Sequence, residues 1–386
     1  MKILYDYQAF TIQKYGGVSK CFCELISQLP SNIKWEIGIK ESDNIHLHQS
    51  QLITSLKNSK INRETFLTKK HFRGKFRLYN YINSLFPNFP SVENINRKYS
   101  ITLLKRGEYD IFHPTFFDDY YLPYLNKKPF VLTIHDMMPE LFPEYFKRND
   151  MQIVMKKKLI QKASAIVAVS EQTKSDIVHL LNTDPEKITV IYHGGPNIDN
   201  SPAKEKPIIE DPYILYVGTR DAYKNFTQFL KAFALFHKEV PDVKLICTGS
   251  PFTKVEQSLI ENLEISHSII NFFANDKQLA NLYAHALTFV YPSLYEGFGM
   301  PILEAYAYGC PVILSQCSCF PEIAKEAALY YNVQKGEKDL MNRLLEIYNY
   351  SDIQRQNLIQ LGYERLSNYS WKNSSAQLAQ LYNNII

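Results

Sequence analysis

The chain has 386 residues, 45% hydrophobic and 21% charged, so it is long and apolar enough to fold around two cores, and the disordered, collagen-like and mucin-like classes are excluded. Lys plus Arg (43) exceed Asp plus Glu (39) by four, a surplus too small to argue for nucleic acid. Cys21, Cys23, Cys247, Cys310, Cys317 and Cys319 are too scattered for a disulfide scaffold, and the C-x-C at 317–319 lacks the second Cys/His pair of a zinc site. The opening MKILYDYQAF carries Asp6 and no apolar core of signal-peptide length, and no later stretch reaches the ~18 apolar residues of a spanning helix, so a reduced, cytoplasmic protein is expected.

Short apolar runs rich in Val, Ile, Phe and Tyr recur along the chain: KILYDY, WEIGI, YDIFH, FVLTI, AIVAV and ITVIY, then YILYV, VKLIC, IINFF, LTFVY and PVIL. The segments between them carry a helical period. Val18, Phe22, Leu25, Ile26 and Leu29 form one stripe, and Phe226, Phe229, Leu230, Phe233 and Phe236 form another. Continuous apolar strands alternating with amphipathic helices predict an α/β fold of two doubly wound, Rossmann-like units with parallel sheets. The stretch GGPNIDNSPAKEKPIIEDP is dense in Pro, Gly, Asn and charge and reads as a linker, 196–212, between domains 1–195 and 213–370. The last segment reads as a helix, 371–386, capped by Ser370 or Asn373, with Leu378, Leu381, Tyr382 and Ile385 on one face.

Residues 57–77 break this rhythm. Lys57, Lys60, Arg63, Lys69, Lys70, Arg73, Lys75 and Arg77 face the single acid Glu64, and Phe66, Phe72, Phe76, Tyr79 and Tyr81 interleave with them. Such a patch suits an anionic membrane surface; an ordinary solvated face is the competing reading, and no groove-reading motif supports nucleic acid.

In open parallel sheets, ligands bind beyond the carboxyl ends of strands. After LTFVY, the residues Glu296, Gly297, Phe298 and Gly299 form a turn, Pro301 suits the helix start, and Gly309 followed by Cys310-Pro311 ends the helix. The turn offers backbone N–H groups to an anion, and the carboxylates of Glu296 and Glu304 suit paired hydroxyls of a sugar or ribose. A solvated loop acid is the competing reading for Glu296 and helix-dipole compensation that for Glu304. After YILYV come Gly218, Arg220 and Lys224, a fork and a point charge able to hold a diphosphate, with surface salt bridging as the alternative. No D-x-D triplet occurs, so the usual carboxylate pair for a metal on a nucleotide diphosphate is missing. Gly16 and Gly17 precede the first long helix, and His135, beside Asp136, follows FVLTI. Ser170 reads as a helix cap. The G-x-S-x-G, H-E-x-x-H and P-loop patterns are absent, so hydrolase, protease and ATPase readings lack their parts.

EGFGMPILEAYAYGCPVI, with two glutamates seven residues apart, resembles the signature of glycosyltransferase family 4, the retaining GT-B enzymes that use nucleotide-sugar donors. GTRDAYKNF, VLTIHDMMPELFPEYF, AIVAVSEQTKSDI and QKYGGVSKCFCEL resemble its other landmarks in order, and the likeness is strongest to the bacterial mannosyltransferase-like branch that builds surface polysaccharides. The resemblance implies two Rossmann-like domains facing across a cleft, with donor held mainly by the second, acceptor by the first, and the final helix crossing back onto the first. It implies that Arg220 and Lys224 hold the diphosphate, Glu304 the ribose, and Glu296 with the amides of Gly297, Phe298 and Gly299 the transferred sugar. His135 would contact that sugar, and Gly16 and Gly17 would lie between donor phosphate and acceptor. It further implies front-face transfer with no protein nucleophile, onto a glycan or lipid-linked acceptor; no cofactor beyond the co-substrate and no metal are expected, and the basic aromatic segment 57–81 is the expected contact with the inner face of a membrane.

Two departures stand out. His193-Gly194-Gly195 replaces a common Asn-Gly and apolar residue, and Lys325 stands where glycine is common. Two other readings keep the fold: a nucleotide-sugar epimerase, for which no committed acid/base pair is visible, and a catalytically silent partner subunit.

Overall fold

The computed structural model describes every residue except 68, 69, 71, 73, 87 and 147–150. Its first half carries strands β1 (Lys2–Tyr5), β2 (Lys34–Ile37), β3 (Ile111–His113), β4 (Val131–Ile134), β5 (Ala165–Ala168) and β6 (Ile188–Val190). All pair in parallel, in the orders β2-β1-β3 and β4-β5-β6, and a parallel bridge from Phe112 to Phe130 joins the two halves. The second half carries β7 (Tyr213–Val217), β8 (Lys244–Thr248), β9 (Ile269–Phe272), β10 (Thr288–Tyr291), β11 (Val312–Ser315) and β12 (Leu329–Tyr331), ordered β12-β11-β10-β7-β8-β9. That is the doubly wound order, in which the chain reverses direction between β7 and β10 and leaves a crevice beyond their carboxyl ends. Each apolar run of the sequence is a strand. The short edge strand β12 lies in LYY, three residues with no period to betray them.

The stripes find their partners. Phe229, Leu230, Phe233 and Phe236 of helix Phe226–Glu239 are fully buried against one face of the second sheet, and Phe22, Leu25 and Ile26 of helix Gly17–Ser27 are buried in the first core. Helix Trp371–Ile385, capped by the Ser370 side chain, leaves the second domain and packs into the first core through Leu378, Ala379, Leu381 and Tyr382.

The segment 57–81 is less open than its composition suggests. Lys75 is buried and its Nζ donates to the Glu64 carbonyl; Phe66 and Tyr79 are buried, and Tyr79 donates to Glu93 at 2.5 Å. Phe72, Phe76 and Tyr81 are exposed, and Leu78, Leu85 and Phe86 extend that apolar face. Lys69 and Arg73 lie outside the described residues.

The docked helix is tied by polar groups inside the core. Tyr382 Oη lies 2.8 Å from Tyr5 Oη and 2.6 Å from His113 Nδ1, while His113 Nε2 meets Thr133 Oγ1 at 2.9 Å. Removing one hydroxyl strands its buried partners, so Tyr382→Phe should lower the unfolding free energy by about 1–3 kcal/mol in chemical denaturation, with an unchanged m-value. A midpoint identical to wild type would show that the network contributes nothing.

Candidate active site

Two helices, one from each domain, present their N-termini to the same crevice. Helix Gly17–Ser27 starts at Gly16, and helix Met300–Ala307 starts at Gly299; neither first turn has a side-chain cap, so their leading N–H groups and positive dipole ends stay available to an anion. One turn into each helix, Lys20 Nζ and Glu304 Oε1 form an ion pair of 3.2 Å across the crevice. A Cβ on Gly17 would meet no protein atom within 4 Å, and the same holds for Gly218 at the end of β7, whose φ is +120°. Gly299, at φ +93°, occupies the left-handed region that admits the turn into its helix.

The loop after β10 is held from behind. Ser318 Oγ donates to the Glu296 carbonyl at 2.6 Å, and Cys319 Sγ lies 3.2 Å from the Phe298 carbonyl. Ser170 Oγ, the cap of helix Glu171–Leu181, donates to the Gly297 carbonyl at 2.7 Å. The carbonyls of Glu296, Gly297 and Phe298 are thus engaged on the protein side, whereas the amides of Gly297, Phe298 and Gly299 find no acceptor among the described residues. The Phe298 ring itself turns inward and meets His193 edge-on at 4.9 Å between centroids.

The cations expected to face a diphosphate are already paired. Lys224 Nζ donates to Glu296 Oε1 at 2.6 Å, which brings two of the expected residues together, with both side chains mostly covered. Arg220 differs from the open fork that its sequence context suggested. Its Nε binds Glu256 Oε1 at 2.6 Å, and Nη2 donates to the carbonyls of Ser250 and Pro251. Its buried Nη1 has no hydrogen-bond partner among the described residues. Glu256 arrives from helix Lys254–Asn262, whose capping box fixes it, and sequence spacing gave no hint of this contact.

His135 directly follows β4 and is half-buried, with Nε2 buried and without a partner among the described residues. Burial pulls its imidazole down to about 4, so it is neutral near pH 7 and able to exchange single hydrogen bonds with a hydroxyl. Burial also takes His193 well below its ordinary value. The turn after His135 is anchored by Lys156, which donates to the Asp136 carbonyl at 3.1 Å and pairs with Glu140 at 3.0 Å, both side chains buried.

Contacts across the crevice that the sequence did not announce set its width. Glu322 Oε1 and Oε2 accept from the Glu171 and Gln172 amides at 2.8 and 3.2 Å, so an acid of the second domain charges the N-terminus of a first-domain helix. Tyr295 donates to Asp176 at 2.5 Å and Tyr15 to Asp276 at 2.9 Å. The tightest approach is backbone to backbone: a Cβ built on Gly297 would lie 1.6 Å from the His135 carbonyl oxygen. Gly297→Ala must therefore push the lobes apart, and we expect a larger radius of gyration by small-angle scattering with about 1–3 kcal/mol lost in unfolding. An unaltered scattering curve and midpoint would mean that the loop yields by itself.

Comparison with known proteins agrees with this arrangement. The family described as Glycosyl transferases group 1 matches residues 197–365, and Glycosyltransferase Family 4 matches residues 48–194. O-antigen chain mannosyltransferase B of Escherichia coli is 29% identical over 280 residues, covering 68% of this chain and 72% of that protein. O-antigen chain mannosyltransferase RfbU of Salmonella typhimurium is 30% identical over 202 residues, covering 52% of this chain and 56% of RfbU. Among solved structures, Anabaena Alr3699/HepE in complex with UDP and glucose superposes over 100% of both chains with a TM-score of 0.73 at 17% identity. Sucrose-phosphate synthase from Thermosynechococcus elongatus covers 100% of this chain and 99% of its own with a TM-score of 0.71 and 17% identity. With two matched regions that together take in most of its length and a GT-B arrangement of parallel sheets, the chain belongs to the glycosyltransferases of family 4.

Proposed function

We propose that the protein transfers a hexose, mannose in the favoured case, from a nucleotide-diphosphate sugar to a glycan or lipid-linked acceptor during assembly of a bacterial surface polysaccharide. The mannosyl assignment rests on the O-antigen relatives. The observation that carries the chemical reading is the group at the crevice: two uncapped helix N-termini, three successive free amides after Glu296, and the Lys224–Glu296 pair beside them. Fixed N–H dipoles and cations of this kind stabilise charge as it develops on a leaving phosphate, and they need no rearrangement at that moment.

In this reading Arg220 and Lys224 bind the diphosphate, Glu304 the ribose hydroxyls after Lys20 releases it, and Glu296 with the amides of Gly297, Phe298 and Gly299 the sugar. His135 donates or accepts one hydrogen bond at that sugar, and Gly16 and Gly17 let the donor phosphate and acceptor approach the helix start. The anomeric carbon–oxygen bond breaks with its electron pair kept by the phosphate. The acceptor oxygen bonds to the same face, so configuration is retained, and the departing phosphate takes the acceptor proton. Positioning and charge stabilisation supply the rate, without a protein nucleophile. Without a D-x-D pair, the cations Arg220 and Lys224 replace a divalent metal.

The test is nucleotide release from GDP-mannose against UDP and ADP sugars in the presence of a glycan or lipid-linked acceptor. Lys224→Ala and Arg220→Ala should each cost about 10²-fold or more in kcat/KM with the far-ultraviolet circular dichroism unchanged, and excess EDTA should not lower the wild-type rate. Wild-type turnover in both variants removes the diphosphate assignment, and a loss in EDTA that Mn²⁺ restores removes the metal-free one.

Among the described residues no helix is long and apolar enough to cross a membrane. A cytoplasmic enzyme that rests on the inner membrane face is our reading of the first domain. Phe72, Phe76, Leu78, Tyr81, Leu85 and Phe86 are exposed on and around helix Lys75–Leu85, with Lys70 and Arg77 among them. Aromatic side chains entering the headgroup layer, with basic ones beside anionic lipid, suit that place. The double variant Phe76→Ser, Tyr81→Ser should cosediment less with phosphatidylglycerol-containing vesicles than wild type, and neutral vesicles should retain neither. Equal sedimentation of the two proteins leaves only a solvated face.

A further inference from the structure

Three side chains from three segments converge between the donor-facing loops and the point where the chain crosses between domains. Cys21 comes from helix Gly17–Ser27, His135 follows β4 and His193 follows β6. One ligand-type atom of each lies within 4.8 Å of the other two. Cys21 Sγ is 3.3 Å from His193 Nδ1, and the two imidazole centroids are 5.6 Å apart. Cys21 and His193 are buried, and the buried Nε2 of His135 has no hydrogen-bond partner among the described residues. A thiol donating to one imidazole accounts for Cys21 and His193 but leaves the third group unsatisfied.

We propose that Cys21, His135 and His193 form a site for a thiophilic divalent cation of the zinc type, and that its occupancy stops sugar transfer. One thiolate and two imidazoles are the ligand chemistry zinc prefers. With bonds of about 2.0–2.3 Å a tetrahedral centre spans ligand pairs about 3.3–3.8 Å apart, so side-chain rotations of about an ångström close the present arrangement. On binding, the Cys21 S–H bond breaks, its proton passes to solvent, and the thiolate pair forms the metal–sulfur bond, while each imidazole gives a ring-nitrogen lone pair. Three protein ligands leave a fourth position open. Inhibition follows because the cation draws His135 away from the sugar, and because it ties the crossing at His193 to a first-domain helix. That inhibitory half rests on the role proposed above for His135; the site does not.

The experiment uses the full chain, stripped with EDTA and kept free of thiol reductant. Zn²⁺ alone is titrated by calorimetry, and Cd²⁺ is followed by its ultraviolet thiolate charge-transfer band. Wild type should take one equivalent and show the band; Cys21→Ser and His193→Asn should bind at least about tenfold more weakly, and Cys317→Ser as tightly as wild type. Circular dichroism confirms that each variant is folded. In the transfer assay Zn²⁺ should inhibit wild type, EDTA should restore it, and Cys21→Ser should keep its basal rate and resist the metal. No binding, or binding unaffected by Cys21→Ser and His193→Asn, overturns the site. Binding without inhibition overturns its inhibitory half. Should the chain transfer no sugar at all, calorimetry and the cadmium band still decide the site alone.

Discussion

The approach of Gly297 to the His135 carbonyl constrains everything else in the crevice. With backbone against backbone and no room for a Cβ, the loop after β10 is fixed relative to the end of β4 by contact distance, not by flexible side chains. The hydrogen bonds from Ser170 and Thr173 to the Gly297 carbonyl are directional consequences of that approach. With the carbonyls of Glu296, Gly297 and Phe298 bound toward protein, the amides of Gly297, Phe298 and Gly299 are left without an acceptor among the described residues. A first-domain helix cap and a second-domain glycine therefore act as one element, although 127 residues separate them.

Electrostatics then decides what the crevice accepts. The two helix N-termini, Lys20, Arg220 and Lys224 supply positive potential, and Glu304, Glu256 and Glu296 each neutralise one of the cations. Paired charges cost less to hold in a partly covered crevice than bare ones, and an entering anion exchanges one partner for another without creating an isolated charge. Lys20 and Glu304 are the most exposed of the three pairs and span the two lobes, so their attraction is the weakest and the easiest to trade. Arg220, held by Glu256 and two carbonyls with only Nη1 uncommitted, acts as a positioned donor.

Much of this was legible in the residues. Val, Ile and Tyr runs announce strands because both faces of a parallel sheet are covered, and the Phe stripe of helix Phe226–Glu239 announces the face that covers one of them. Glycines, glutamates and cations after strand ends pointed to the crevice because parallel sheets bind ligands there. What stayed hidden has long-range causes. Nothing local in Glu322 says that it will meet the Glu171 amide, 151 residues away, and nothing in Glu256 says that it will engage Arg220. The basic run at 57–77 misleads for the same reason: its composition cannot tell that Lys75 reaches inward to the Glu64 carbonyl while Phe76 stays out.

The two departures from the family pattern have opposite physical status. Lys325 sits at φ +45° and ψ −127°, a region that glycine enters freely and a lysine only under strain, so its segment carries a cost that the surrounding packing must offset. His193-Gly194-Gly195 is instead fitted to its place. A Cβ on Gly194 would lie 2.2 Å from the Trp371 amide, so the two crossings between domains meet there at bare backbone, and one on Gly195 would lie 2.4 Å from Leu366 Cδ1 and 3.2 Å from Leu303 Cβ, against leucine side chains of the second domain. His193 fills the space beside them, with its ring 4.9 Å from Phe298, 5.6 Å from His135 and 5.6 Å from Trp371. One imidazole thus contacts the loop after β10, the residue after β4 and the returning helix. A movement of the lobes at this crossing must rearrange the same ring that stands between Cys21 and His135.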